Sequence, residues 1–418
     1  IADLQGEIEE LKIQAATMPE SDLEAKEAVF ERIDALDLSI NEELEVVLAE
    51  ILPEAFALVK ETAKRFTLEG EIEGYEFFEA SIRSCLRATY KSIDDLINKK
   101  VSLPDEIAKS IDALKNLTTV LLGKRKKRSA LELDAAEPIL ELDELGNIIN
   151  IKISKRLFSH LMIEESMLAA NICAARYMKK HYGFGVYRIH EEPEELKIDA
   201  LKNFFAAKGL TSKPKKNPLE VITQCLEFSK DHQLKKSLQT LVLQSLKRAE
   251  YSTEDIGHFG LQLEQYAHFT SPIRRYPDLL VHRAIKRALS NKHRERSNKM
   301  VELGAHLSMT ERRADDASRD VEQWLKCEYM RDKVGESFNG VISGVAGFGL
   351  FVELTEIFVE GLISVRDLKE DYFIYDDVHH QLSGQRGGRI YRLGDLIKVK
   401  VASVNLDDRK IEFVPVSK

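Results

Sequence analysis

Apolar positions recur at helical spacing through the first 66 residues. Ile1, Leu4, Ile8 and Leu11 stand at heptad spacing, and Ser21 with Glu24 forms a capping-box pattern after Pro19. Phe30, Ile33 and Leu36 mark a further helix, and Leu44, Val47, Ile51, Ala55, Leu58 and Val59 another. This stretch predicts helices only. The texture changes near residue 67, where Gly70, Gly74 and alternating apolar residues over 67–84 predict a strand entering from a turn. Helical spacing returns over 90–122. The segment LELDELGNIINIKI alternates around Gly146-Asn147 and predicts a hairpin. Helical patterns dominate from 155 to 330, broken at 182–190, at the Lys/Pro-rich 208–218 and at 257–278. Beyond 334 the period falls to two. FNGVISGV, GLFVEL, VEGLISV, LIKVKVASV and RKIEFVPV read as five short strands, the pattern of a small closed barrel of the OB type.

Composition narrows the class. With 44% hydrophobic and 31% charged residues, the chain of 418 has the balance of a folded multidomain protein, not of a disordered one. No apolar run approaches a membrane span, and the acidic start does not read as a signal peptide. Cys85, Cys173, Cys225 and Cys327 lie far apart, which argues against a zinc ribbon or a disulfide scaffold and fits a reducing cytoplasm. The start at Ile1 suggests a truncated or fused chain. The net charge of −9 is unevenly spread. Residues 1–66 carry −11, which leaves +2 on the remainder, a body compatible with a polyanionic partner if its positive charge is clustered.

The candidate chemistry concentrates in GHFGLQLEQYAHFTSPIRRYPDLLVHR, residues 257–283. Arg274 and Arg275 beside the hydroxyls of Thr270 and Ser271 suit a phosphodiester, because a guanidinium makes bidentate, charge-assisted bonds to phosphate oxygens. The same residues also suit a helix start, with Ser271 as cap, Pro272 at the first helical position and Arg–Asp pairs as packing. Spacing alone leaves both readings open.

HFTSPIRRYPDLLVHR resembles the signature of the ribonuclease II and ribonuclease R family of 3′-to-5′ exoribonucleases. LMIEESMLAANICAARYM and GYEFFEASIRSCLRATY agree with it, in order, over about 67 to 418. The resemblance implies an RNB catalytic domain that threads single-stranded RNA and removes nucleotides one at a time, releasing 5′-monophosphates with Mg²⁺ held by carboxylates. By that resemblance Arg274 contacts the phosphate near the scissile bond and Glu165, or its neighbour Glu164, helps hold the terminal nucleotide. Thr270, Ser271, Arg275, Tyr276 and Asp278 complete the RNA-binding motif. Leu133 stands where some members place a stacking aromatic. The family's aspartate cluster, D-x(5)-D-x-D-D, has no counterpart here: Asp94-Asp95 and Asp315-Asp316 fall on helical segments that align elsewhere. Mg²⁺ is thus expected for the family without ligands in this chain, and cold-shock domains are absent. A second chain supplying the missing half of the domain is a partner the resemblance allows. LPEAFALVKETAKRF is similar to a stretch of the SecA preprotein translocase, but no Walker motif follows.

The barrel segment resembles the S1 RNA-binding domain, with Phe338, Phe348, Phe351 and Arg409 as its usual contacts; Phe351 is expected in the core. The basic run 124–128 reads as a solvated loop, as do Lys213, Lys215 and Lys216. His379-His380 has no carboxylate at ligand spacing and predicts no metal site. Trp324, Leu325 and Val321 read as one buried helix face, and Cys173 as a buried small hydrophobe. The expected fold is α+β: an acidic helical hairpin (1–66), a truncated, helix-rich RNB domain (67–330) and a five-stranded S1 barrel (331–418). The expected function is single-stranded RNA binding with 3′-to-5′ exoribonuclease activity, impaired by the missing aspartates. A catalytically inactive RNA-binding fragment and a translocase-associated chain are the alternatives.

Overall fold

The structure is a computed structural model that describes residues 66–80, 84–132, 138–143, 148–153, 156–183, 185–210, 217–230, 235–291, 298–369, 371–377 and 379–416. The acidic segment 1–65, Leu133, the Gly146-Asn147 turn and Lys213, Lys215 and Lys216 lie outside the described residues. The architecture is mixed α and β, as the periodicities predict, and its contacts group into two units.

One unit takes in residues up to Leu121, Met162–Gly185 and Ala267–Arg294. Its first described helix, α1 (Tyr90–Ile97), starts at a capping box in which Ser92 N–H donates to Thr89 Oγ1 and Thr89 N–H to Ser92 Oγ. The core of the unit is α3 (Phe158–His181), whose Ala170, Cys173, Ala174, Ala175 and Met178 have no exposed surface. The strand expected over 67–84 does not form in its described part, residues 67–80. Phe66 bridges only to Ile72, and the amides of Glu69 and Glu71 donate to Thr67 Oγ1 within the turn. Residues 73–80 have no regular structure and are anchored by Phe77, buried against Tyr177 and Phe269.

The other unit comprises Leu122–Leu161, Val186–Tyr266 and Glu295–Lys418. Helix α2 (Asp105–Lys127) ends in it, and the basic run is that helix's last turn, not a loop. Cations there complement the partial negative charge of the exposed carbonyls. Arg125 and Arg128 turn inward: Arg125 is 8% exposed and lies 4.0 Å from Glu132, and Arg128 Nε donates to the carbonyl of Leu261. Helices α4 (Glu195–Ala207), α5 (Pro218–Lys230) and α6 (Lys235–Ser245) bury Phe205, Ile222, Leu238 and Val242 against one another. Strands β1 (Pro138–Leu142) and β2 (Ile148–Ile153) form the expected hairpin. Strands β3 (Tyr187–Ile189) and β4 (Glu250–Ser252) pair antiparallel beneath α7's successor in the chain, the 34-residue α8 (Asn298–Arg331), α7 itself being Tyr276–Leu289. Gly304 lets α8 approach β4: a Cβ there would lie 2.9 Å from the carbonyl oxygen of Tyr251.

Five strands close the C-terminal barrel in the order β11-β12-β7-β6-β5, with β5 (Ser337–Ala346), β6 (Gly349–Leu354), β7 (Glu360–Ser364), β11 (Leu396–Asn405) and β12 (Lys410–Pro415). These are the five strands the alternation predicts. Between β7 and β11 the chain inserts a separate antiparallel sheet, β8 (Phe373–Asp376), β9 (Gln381–Gly384) and β10 (Ile390–Arg392), which the sequence reading did not anticipate. The end of α8 packs Cys327 and Met330 into the barrel core. That choice of face leaves Trp324 44% and Val321 59% exposed and Leu325 half-buried, so the face expected to be buried is not the one the barrel covers.

Candidate nucleic-acid interface

The stretch that precedes α7 is a braced loop. Its first anchor is Phe269, buried and stacked on His282 at 4.1 Å between ring centres. Phe269 N–H donates to Asn171 Oδ1 on α3, and His282 Nε2 donates to the Phe269 carbonyl, each at 2.9 Å. The second anchor is Asp278. It has no exposed surface, yet Oδ1 accepts from Ser271 N–H and from the Arg275 guanidinium, both at 2.7 Å. Burial pushes the Asp278 carboxyl up, against the pull of Arg275 and of the Ser271 amide.

The brace changes where the helix begins. Ser271 and Pro272 do not open it; α7 starts at Tyr276, with Arg275 as a cap residue that makes no side-chain capping bond and Pro277 in the first turn. Ser271 to Arg274 form the turn in front of it, closed by Arg275 N–H on the Ser271 carbonyl at 3.0 Å. The Arg–Asp pair considered from spacing is realised by Arg275, not Arg274.

The two adjacent arginines therefore differ. Arg275 is spent on Asp278. Arg274 is exposed, and among the described residues it makes no hydrogen bond or ion pair. Tyr276 is 48% exposed beside it. Thr270 Oγ1, Arg275 Nε and Asp278 Oδ2 are buried without a hydrogen-bond partner among the described residues. Three such atoms within nine residues of sequence are a concentration that folded proteins ordinarily avoid. Chemically, the loop offers the Arg274 guanidinium, without a partner among the described residues, and a half-exposed phenol on a braced frame. Glu165 lies on α3 in the same unit with 3% of its surface exposed, and Glu164 beside it is half-buried. The sequence reading missed Asn171 as an anchor; a lone Asn in an Ala-rich helix carries no signal until its partner is known.

Upstream in the chain, His190 and His258 shape the preceding loop within their own unit. His258 Nδ1 accepts from Leu261 N–H and His190 Nδ1 from Gly260 N–H, while His190 Nε2 donates to the Lys247 carbonyl. Both rings must be neutral to accept. Burial, aided by the neighbouring His190 and Arg188, pushes His258 down to about 3, and burial also lowers His190.

On the barrel, Phe348 is 59% exposed and meets Phe351 edge to face at 5.8 Å. Phe351 is half-buried, not core. Along β6 the inward positions are Leu350, Val352 and Leu354, so the alternation places Phe351 on the outer face. Gly344 opposes it across β5–β6 and leaves room for the ring. Phe338 is the phenylalanine that packs on the barrel core. Arg409, at the β11–β12 turn, lies 3.5 Å from Asp320, and its carbonyl accepts from Gln323 on α8.

Among the described residues no group of three or more His, Cys, Asp or Glu side chains is placed to hold a metal ion. Asp95 on α1 pairs with Lys100 just beyond the helix, and Asp315 and Asp316 are exposed on α8. His379 does have a carboxylate partner, Asp376 at 2.7 Å, which the spacing argument overlooked, but among the described residues no third ligand joins them. The described residues do not fit the Mg²⁺ that the resemblance implies.

Comparison with known proteins places this geometry. The RNB domain model matches residues 41–291, which takes in part of the stretch read as an acidic segment, and the S1 RNA binding domain model matches 331–414. The chain is 40% identical to ribonuclease R of Escherichia coli over 368 residues, 84% of this chain and 45% of that one. It is 38% identical to ribonuclease R of Vibrio cholerae over 361 residues, 82% of this chain and 44% of that one. The chain thus spans about half the length of the curated relatives it matches. A solved structure of Mycoplasma genitalium RNase R, in complex with ribose methylated single-stranded RNA, superposes with a TM-score of 0.72 at 24% identity, covering 78% of this chain and 53% of that one. RNB and S1 modules in this order, with identity of this extent, mean that the chain belongs to the RNB family and is homologous to ribonuclease R.

Proposed function

We propose that this chain binds single-stranded RNA and forms the phosphate-gripping part of a 3′-to-5′ exoribonuclease. The observation that carries the reading is the division of labour between Arg275, locked on buried Asp278, and Arg274, presented without a partner on the same loop. An exposed guanidinium on a braced loop can meet a phosphodiester with two parallel, charge-assisted hydrogen bonds, and the fixed backbone leaves less to order on binding. Glu165 is the carboxylate that the resemblance assigns to the terminal nucleotide. The phenylalanine pair of the barrel adds base stacking, which is indifferent to sequence. The RNA-bound Mycoplasma genitalium relative supports the ligand class.

Hydrolysis is a separate matter. The described residues contribute binding and orientation, and the donor set for a divalent ion is not among them. For the chain by itself the inactive RNA-binding reading rests on the sequence, which has no counterpart of the family's aspartate cluster. The test is anisotropy of a labelled single-stranded RNA at two salt concentrations, followed by a time course with Mg²⁺ and 5′-labelled RNA. Binding that weakens with salt, without stepwise shortening, is the expected result. Absence of binding at low salt refutes the RNA reading. Stepwise shortening that is lost in Arg274→Ala refutes the inactive one.

A further inference from the structure

The barrel closes without β8–β10, so the inserted sheet is not needed for closure. Its first strand approaches the turn that carries the aromatic pair. Gly347 lies in the β5–β6 turn, and a Cβ built there would sit 3.8 Å from Cβ of Tyr375 on β8. Phe348 follows Gly347 directly. Along β8, Phe373 is buried in the barrel core and Ile374 points outward, while Tyr375, on the Phe373 side of the strand, is half-buried and packs against that core. Burial, with Asp377 and Asp376 nearby, raises the Tyr375 phenol, which keeps it protonated.

A cation joins the same place. Val365 N–H donates to the Phe348 carbonyl at 2.9 Å, so the short turn Val365–Asp367 abuts the exposed ring's own backbone. Arg366 at the centre of that turn is exposed and forms no side-chain bond or ion pair among the described residues. The sheet itself is clamped. The Asp371 carboxylate accepts from Tyr372 N–H at 2.7 Å, Arg386 N–H at 2.8 Å and Gly387 N–H at 2.5 Å, which ties the start of β8 to the β9–β10 loop. The Gly387 amide, followed by those of Arg386 and Tyr372, holds this carboxyl below its ordinary range. Rings on a fixed frame stack bases with little further ordering.

We propose that Tyr375 and Arg366 extend the barrel's RNA face, so that Phe348, Phe351 and Tyr375 take bases of one strand and Arg366 takes a phosphate between them. The inference rests on the reading that this chain binds single-stranded RNA. The inserted sheet is then an RNA-binding element, not a spacer.

The test uses the full chain and a short labelled oligouridylate at two salt concentrations, with Phe348→Ala as reference. Tyr375→Leu keeps bulk and removes the ring; a loss of about 5-fold or more in affinity is expected, the low end for one stacked base. Tyr375→Phe should bind as the parent does. Arg366→Ala, at an exposed side chain without a partner, should leave the melting temperature unchanged and flatten the log–log salt slope by about 0.7. If Tyr375→Leu lowers the melting temperature, the Arg366 slope decides. Loss of affinity in Phe348→Ala alone, with Tyr375→Leu and Arg366→Ala binding as the parent does, overturns the extension and leaves the RNA reading intact. Tyr375→Phe as weak as Tyr375→Leu overturns ring stacking. Parental binding in every variant, Phe348→Ala included, overturns the barrel as the RNA face.

Discussion

Neighbouring arginines on one loop should give opposite phenotypes. In Arg275→Ala the buried carboxylate of Asp278 loses its guanidinium and keeps only the Ser271 amide. Breaking a buried pair by removing one partner costs about 3–5 kcal/mol. Arg275 keeps 21% of its side chain exposed while Asp278 keeps none, so the low end, about 3 kcal/mol, is the appropriate figure here. The deficit should depend on pH. Asp278 already has a raised pKa in the fold, and removal of Arg275 raises it further, so the folded variant holds this proton more tightly than the unfolded chain. Acid therefore neutralises the stranded charge, and the gap between variant and parent narrows as pH falls. Arg274→Ala removes no contact in the described structure and should leave stability within about 0.5 kcal/mol, while costing roughly 1.5–3 kcal/mol of RNA affinity, the range for bonds to charged groups. Urea denaturation at pH 7 and pH 5, with RNA anisotropy on each folded variant, reads both effects. A stable Arg275→Ala, or an Arg274→Ala that unfolds, would refute the division of labour.

Other outcomes follow from the same contacts. His258, held down to about 3 by burial, is neutral in the fold and charged in the unfolded chain below about pH 6.5, so its contribution is intact above that pH and declines as pH falls toward 3; His258→Gln should flatten that part of a melting-temperature profile, and an unchanged slope would contradict it. Gly349→Ala would put a Cβ 2.2 Å from the Ile363 carbonyl oxygen between β6 and β7, so a barrel loss of about 1–3 kcal/mol is expected, read by calorimetry. Burial pushes the Cys173 thiol up to about 12, and Cys225 likewise, so native-state alkylation at pH 8 should label exposed Cys85 far ahead of both, and equal labelling would contradict the packed α3 core.

Much of the architecture is written in local pattern. Period-two alternation picked out the five barrel strands, and the arginines and the hydroxyls marked the stretch before α7, because such signals depend on residues close together in the chain. The motif also carried the family, since 257–283 holds its chemistry in one contiguous stretch. Choices among equivalent local options were made elsewhere. Which arginine meets Asp278 depends on the turn at 271–274, and only the fold selects Arg275. The face of α8 that is buried was decided by the barrel against which Cys327 and Met330 pack, leaving Trp324 in solvent; helical spacing defines a face but not its partner. Phe351 faces outward because β6 has one register in the closed barrel, set by pairing with β5 and β7. The inserted sheet was invisible because its strands are three or four residues long, too short for alternation to register. Asn171, ninety-eight positions from the amide it holds, acquires its role solely through the long-range contact that brings α3 to the loop.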